Sequence, residues 1–236
     1  MAGHTLMSVG AEGQGVRLIA RAPAANGQRL TLGYGGRTFE ALLPLAGAFQ
    51  ASNALVAAGL CIASGEDAGE VFAALETIQG APGRLQRVGR APRGGEAYVD
   101  YAHTPDGLET VLKALRPHAK GRLLVVFGAG GDRDTTKRPL MGKAAHDLAD
   151  LVIVTDDNPR GEEPSSIRAA ILAAAPAALE IGDRREAIEA AVAQLREGDV
   201  LVVAGKGHEQ GQIVAGVTHP FDDVTEVAAA LGVSHG

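Results

Sequence analysis

The side chains able to do chemistry collect in four short clusters, each directly behind an apolar run. They are DYAHTPDG at 100–107, GAGGDRDTTKR at 128–138, DDNPRGEEP at 156–164 and GKGHEQ at 205–210. In the third cluster Arg160 offers a planar fork that pairs with a carboxylate, while Asp157 and Asn158 accept hydrogen bonds from an ammonium group. Arg133 adds a second cation and Glu209 a second anion, so the set suits a zwitterion of the amino-acid kind. A solvated ion-pair network around helix caps is the plainer reading of the same charges, and such networks contribute little energy.

The glycines of GAGGDR invite comparison with the dinucleotide fingerprint G-x-G-x-x-G/A, but Arg133 stands where the third glycine should be. No G-x-x-x-x-G-K-[ST] loop occurs in the chain, and GKGHE lacks the hydroxyl residue that would bind magnesium. His103 remains open between a metal ligand, a general base, a nucleotide or phosphate contact and a solvated turn residue. No His, Cys or carboxylate spacing around it favours the metal.

Positioning such clusters on one rim calls for a parallel sheet, because ligands of open α/β sheets bind outside the carboxyl ends of the strands. From about residue 87 the pattern supports this. AYVDYA, LLVVF, LVIVT, ALEI and VLVVA read as strands without polar alternation, separated by amphipathic helices, which predicts a mostly parallel Rossmann-like α/β sheet covered on both faces. Thr104 with Pro105 starts a helix, others follow to about Ala149, over about 165–175 and over 184–196, and QIVAGV is expected to add an edge strand.

Residues 1–49 instead alternate in short stretches around glycine turns, as antiparallel strands do. A helix over about 51–63 follows, then a second beginning at Asp67, where Asp67 and Glu70 have capping-box spacing. The stretch GAPGRLQRVGRAPRGGEA, 80–97, reads as a connection, so the division expected is 1–86 and 87–236.

The chain of 236 residues carries a formal charge of −6 and 46% hydrophobic residues. A globular protein without a general nucleic-acid or membrane surface is expected, and small anionic ligands remain open. The lone Cys61, in LVAAGLCIA, forms no internal disulfide and is expected to be packed. With no signal or spanning segment in view, these features predict a cytoplasmic monomer.

Together FQASNALVAAG, PGRLQRV, VDYAHTPDGLE, FGAGGDRDTTKRPLMG, VTDDNPRGEEP and AGKGHEQ resemble the Mur ligases of peptidoglycan synthesis. The likeness is greatest to members that add meso-diaminopimelate to UDP-MurNAc-L-Ala-D-Glu. It runs over residues 49–210 in family order and is loose before 49. It implies that 1–86 is the last part of the central ATP-binding domain and 87–236 the whole carboxyl-terminal domain. The P-loop and a magnesium-supporting modified lysine would lie upstream, so this fragment alone is expected to be inactive, with no catalytic or metal residue of its own assigned.

The family reaction uses ATP and Mg2+ to make an acyl phosphate, which the amine of diaminopimelate attacks. Carried over residue by residue, Arg133, Asp157, Asn158, Pro159, Arg160, Gly205 and Glu209 would contact diaminopimelate. Arg160 would hold the distal carboxylate and Glu209 the ammonium, with Pro159 shaping the turn. Asn53, Arg84, Asp100 and His103 would contact ATP, and Lys137 and Arg138 would approach phosphates without being catalytic. The full D-N-P-R favours diaminopimelate over lysine, which has no second carboxylate. Competing readings are a non-catalytic nucleotide or amino-acid binding module and, weakened by Arg133, an NAD-dependent oxidoreductase.

Overall fold

A computed structural model describes residues 6–233, and the chain divides into two compact units, Met1–Gly80 and Ala81–Gly236. In the first unit β1 (Val9–Gly10), β2 (Val16–Ala24), β3 (Gly27–Tyr34) and β4 (Arg37–Leu43) form one sheet in that order. The three longer strands are antiparallel. Gly35 and Gly36 join β3 to β4 with φ of 56° and 73°, a tight turn that needs left-handed backbone at both positions.

Helices α1 (Ala48–Ala63) and α2 (Ala68–Ala74) follow. The Asp67 carboxylate accepts the N–H groups of Gly69 and Glu70, capping α2 as its spacing requires. Leu30, Leu32 and Leu43 of the sheet pack with Leu55 and Ala58 of α1 and Phe72 of α2. Cys61 is not packed but exposed. The buried stripe of α1 runs through Ala51, Ala54, Leu55, Ala58 and Ile62, and Cys61 falls outside that helical spacing.

The second unit contains β5 (Gln86–Arg90), β6 (Glu96–Asp100), α3 (Pro105–Leu115), β7 (Leu123–Phe127), α4 (Lys137–Leu148), β8 (Leu151–Val154) and α5 (Pro164–Leu172). There follow β9 (Leu179–Glu180), α6 (Arg184–Ala193), β10 (Val200–Ala204), β11 (Gly211–Val214), β12 (Val217–Pro220) and α7 (Asp223–Leu231). Six strands make the sheet β5-β6-β10-β7-β8-β9, parallel throughout except for β5. Every residue of β7 and β10 is buried, as their unbroken apolar sequences require of strands covered on both faces. One face packs Val99, Leu124, Val126, Leu201 and Val203 against Ile188 and Ala191 of α6 and Val227 and Leu231 of α7. The alternate residues point to the opposite face, where α3 meets β10 and α5 meets β8.

Three features differ from expectation. The supposed connection contains β5, and the division falls at Gly80/Ala81 where 86/87 was expected. The stretch after Gly80 is tied to the second unit, because the Leu85 N–H donates to Asp100 at 2.7 Å and β5 pairs with β6. QIVAGV does not extend the sheet edge but forms the hairpin β11–β12, whose backbone bonds to residue 160 rather than to an edge strand. Helix α7 completes the cover of β5 and β6. No described helix is long and apolar enough to cross a membrane.

Candidate functional site

Because β6, β10, β7 and β8 are consecutive in the sheet and parallel, their carboxyl ends bring the four polar clusters to one rim, at the place where such sheets bind ligands. The rim encloses a cavity of about 520 Å³. Six of the residues expected at an amino-acid pocket line it: Arg133, Asp157, Asn158, Arg160, Gly205 and Glu209. His103, expected on the nucleotide side, lines it too, as do Tyr101 and Lys137.

Glycine permits the loops behind β7 and β8 to touch. A Cβ on Gly128 would lie 2.2 Å from the Thr155 carbonyl, and one on Gly131 only 1.9 Å from that of Pro159. The Gly131 N–H donates to the Asn158 carbonyl at 2.9 Å, and Arg160 Nη1 returns to the Gly131 carbonyl at 2.8 Å. Hence GAGG is there for close contact between protein loops. Arg160 has a left-handed backbone, φ 53°, uncommon for a residue with a side chain. The hairpin secures it: the Arg160 N–H donates to Ile213 O at 2.9 Å, and its carbonyl accepts the Ala215 N–H at 2.7 Å.

The charges stand apart around the cavity. Among the described residues neither Arg133 nor Arg160 is ion-paired to a carboxylate; Arg133 Nη1 reaches only the Asp132 carbonyl, at 3.4 Å. Lys137 Nζ donates to the His103 carbonyl at 2.8 Å. Burial pushes the Lys137 pKa down, against the pull of Asp157 and Asp134. Arg138, by contrast, is buried and paired with Glu162 at 2.8 Å, so it braces the β7 loop. On the anionic side Asn158 Nδ2 donates to Glu209 Oε2 at 3.1 Å, and Asp157 is largely buried beneath Gly205. Unpaired guanidinium groups facing carboxylates across a concave space can hold a molecule bearing both charges.

Other expected positions fall elsewhere. Pro159 is buried and lines a neighbouring cavity of about 350 Å³ behind the turn. Asp100, expected on the nucleotide side, is 5% exposed, and its two carboxylate oxygens accept the N–H groups of Leu85 and Ala102, each at 2.7 Å. Burial raises its pKa while those two bonds oppose the shift. Each of its oxygens thus holds a backbone N–H, one on either side of β6. Arg84 lies over the Tyr101 ring, 4.7 Å from the centroid, and His103 Nδ1 is 2.9 Å from the Tyr101 carbonyl. Asn53 belongs to the first unit, exposed on α1, with its amide 3.5 Å from Gln50 Oε1.

Among the described residues no group of three His, Cys, Asp or Glu side chains could hold a metal. A larger concavity of about 630 Å³ lies on the first unit at the turns around Glu12, Arg17 and Arg37. Those three side chains are exposed.

Sequence reasoning passed over Lys206. It is fully buried, and its ammonium donates to Asn158 Oδ1 and the Gly211 carbonyl, both at 2.9 Å. The signal available was a lysine between two glycines directly after an apolar strand.

The model of the family described as "Mur ligase, glutamate ligase domain" matches residues 83–207. A curated relative from Caulobacter vibrioides, named UDP-N-acetylmuramoyl-L-alanyl-D-glutamate--2,6-diaminopimelate ligase, is 70% identical over 97% of this chain and 47% of its own length. A solved structure of a ligase of that name aligns with a TM-score of 0.75 at 38% identity, covering 96% of this chain and 47% of the other. A folylpolyglutamate synthase of Mycobacterium tuberculosis, solved with ADP and AMPPCP, gives 0.63 at 26% identity, covering 81% and 45%. The chain spans about half the length of the curated relatives it matches.

Proposed function

The chain belongs to the Mur ligase family, and from that premise we propose that it carries the amino-acid pocket of a ligase joining meso-diaminopimelate to UDP-MurNAc-L-Ala-D-Glu in peptidoglycan synthesis. The observation that carries this reading is the pair of guanidinium groups, Arg133 and Arg160, unpaired among the described residues and lining one cavity with Asp157 and Glu209. Diaminopimelate has two carboxylates and two ammonium groups, and lysine lacks the second carboxylate that a second guanidinium would hold. The names of the relatives support the same substrate.

In this reading Arg160 and Arg133 bind the carboxylates, while Glu209 and Asp157 face ammonium and Asn158, whose Oδ1 accepts from Lys206 and the Ile213 N–H, turns its amide NH2 to Glu209. Holding both ends of the amino acid fixes where its reacting amine stands, which is worth several kcal/mol in a bimolecular step. ATP and Mg2+ belong to the proposed whole reaction, in the cytoplasm where its nucleotide-linked substrate is made. The residues described here supply no step through either. The first unit is read as part of the central ATP-binding domain, with Asn53 on it, and Arg84 and His103 are kept as nucleotide contacts.

Calorimetry of this chain with meso-diaminopimelate and with lysine, run separately, tests the pocket. Binding of the first with none of the second at equal concentration is expected, and equal heats would overturn the assignment. The 236 residues contain no phosphate-cradling P-loop, so they should form no amide from ATP unaided.

A further inference from the structure

We propose that Lys206 is a positioning residue for this pocket, holding Asn158 so that its amide orients the Glu209 carboxylate toward the bound amino acid. The proposal rests on the amino-acid reading above. Lys206 has no exposed surface and does not line the cavity, so it acts through its neighbours. Its Nζ donates to Asn158 Oδ1 and to Gly211 O, each at 2.9 Å, and stands 3.9 Å from Asp157 Oδ1. One ammonium thus engages the turn behind β8, its neighbouring carboxylate and the base of the β11–β12 hairpin.

The consequence lies in the Asn158 amide. Its oxygen accepts from Lys206 and also from the Ile213 N–H at 2.9 Å, so both neighbours on that side are donors. This leaves only one orientation in which Nδ2 faces Glu209, at 3.1 Å. The reverse orientation would set an NH2 against two donors and an oxygen against a carboxylate. Removal of the lysine withdraws one of the two donors that forbid the flip.

The glycines on either side exist for this lysine's course. Gly205 has φ 120°, and a Cβ there would lie 2.5 Å from Asp157 Oδ2; Gly207 has φ 56°, and a Cβ there would lie 2.7 Å from the Tyr101 Cβ. Only side-chain-free residues let the strand end turn so tightly that Lys206 runs inward. Burial lowers the lysine's pKa, and Asp157 counters that shift. An ammonium so placed without contact to the cavity has a structural partner in Asn158 and a functional one in Glu209.

The test is a cycle in the complete ligase containing this chain, with Lys206→Met, Glu209→Gln and the double variant, reading KM for diaminopimelate and for ATP separately. Lys206→Met should raise the diaminopimelate KM about tenfold, the scale of one displaced charge-assisted contact, and leave the ATP KM within about twofold. In the Glu209→Gln background the same change should add no more than about twofold, because coupled residues are not additive. A purely structural lysine would instead lower the active fraction, reducing kcat at unchanged KM, or multiply fully with Glu209→Gln; either result overturns the proposal. If Lys206→Met does not fold, Lys206→Leu, which likewise removes the donor, enters the same cycle with the same criteria. Should Glu209→Gln and Arg160→Ala both leave the diaminopimelate KM unchanged, the amino-acid reading falls and this proposal with it. If they raise it and the lysine variants do not, this proposal alone falls.

Discussion

The backbone N–H of Arg160 donates to the carbonyl of Ile213 at 2.9 Å, binding the turn behind one strand of the sheet to a hairpin that belongs to no sheet edge. Arg160 keeps its left-handed backbone and its aim into the cavity through that bond and the return bond from Ala215. Arg160→Ala in the complete enzyme should raise the diaminopimelate KM by roughly 10- to 100-fold, from the loss of about 1.5–3 kcal/mol of charge-assisted bonding, with little change for ATP. Arg160→Lys should recover only part, because an ammonium cannot replace a planar fork. Equal losses for both substrates would sink the assignment.

The contact between Gly131 and Pro159 gives a second test. Gly131→Ala puts a methyl 1.9 Å from a backbone carbonyl oxygen, which no side-chain rotation relieves. The two loops must part, at a cost of about 1–3 kcal/mol if the strain is comparable to other overpacked sites. Denaturant unfolding should show that loss, together with weakened diaminopimelate binding. Unchanged stability would mean that the loops are not held together as described.

Beneath the pocket Arg184 and Asp223 form a bidentate pair, both fully buried, with bonds of 2.8 and 2.7 Å linking α6 to the start of α7. Burial works against the guanidinium charge, and Asp223, with help from Asp157 and Glu209, more than offsets it, holding the group protonated. Asp223→Ala should destabilise the second unit by about 3–5 kcal/mol by stranding a buried charge, whereas Arg184→Met with Asp223→Leu should recover most of that loss. Thermal unfolding of the three proteins decides it. A double variant no better than the single one would contradict the account.

Acid should weaken the fold through Asp199. Burial opposes its charge, but the Arg122 guanidinium at 2.6 Å and the N–H groups of Arg122 and Arg196 overcome this and hold its pKa below the ordinary aspartate value. A depressed folded pKa means that the unfolded chain binds the proton more readily. The stabilisation is therefore complete above the unfolded value near 3.9 and is lost as pH falls through the lower folded one. Asp199→Asn should lose about 1–3 kcal/mol at neutral pH and show a shallower decline on acidification. Parallel stability profiles for the two proteins would exclude this role.

Much of the fold was legible because local signals agreed with tertiary demand. The unbroken apolar runs LLVVF and VLVVA became the two fully buried central strands, and Thr104 and Asp67 capped the helices they precede. The six charged or turn residues grouped at the rim could be grouped from their positions behind strands alone. Less legible were β5, hidden in a stretch rich in glycine, proline and arginine, and the hairpin, whose half-buried β11 and exposed β12 show no alternating buried face. Cys61 was misread because apolar neighbours do not reveal which face of a helix is covered. The two backbone N–H groups that Asp100 holds were not legible either, because a carboxylate at a strand end looks the same with or without them.

The sequence by itself determined the alternation of strands and helices from β6 to β10 and the chemical character of the rim, since these follow from periodicity, capping residues and charge a few positions apart. Only the tertiary structure decided which charges are available. Arg138, Arg184 and Asp100 are engaged within the protein, Arg133 and Arg160 lack carboxylate partners among the described residues, and Lys206 lies inward behind Asn158. The reason is physical: whether a charged group binds a ligand or braces the fold depends on desolvation and on partners tens of residues away, such as Asn158 and Glu209, and a linear pattern encodes neither.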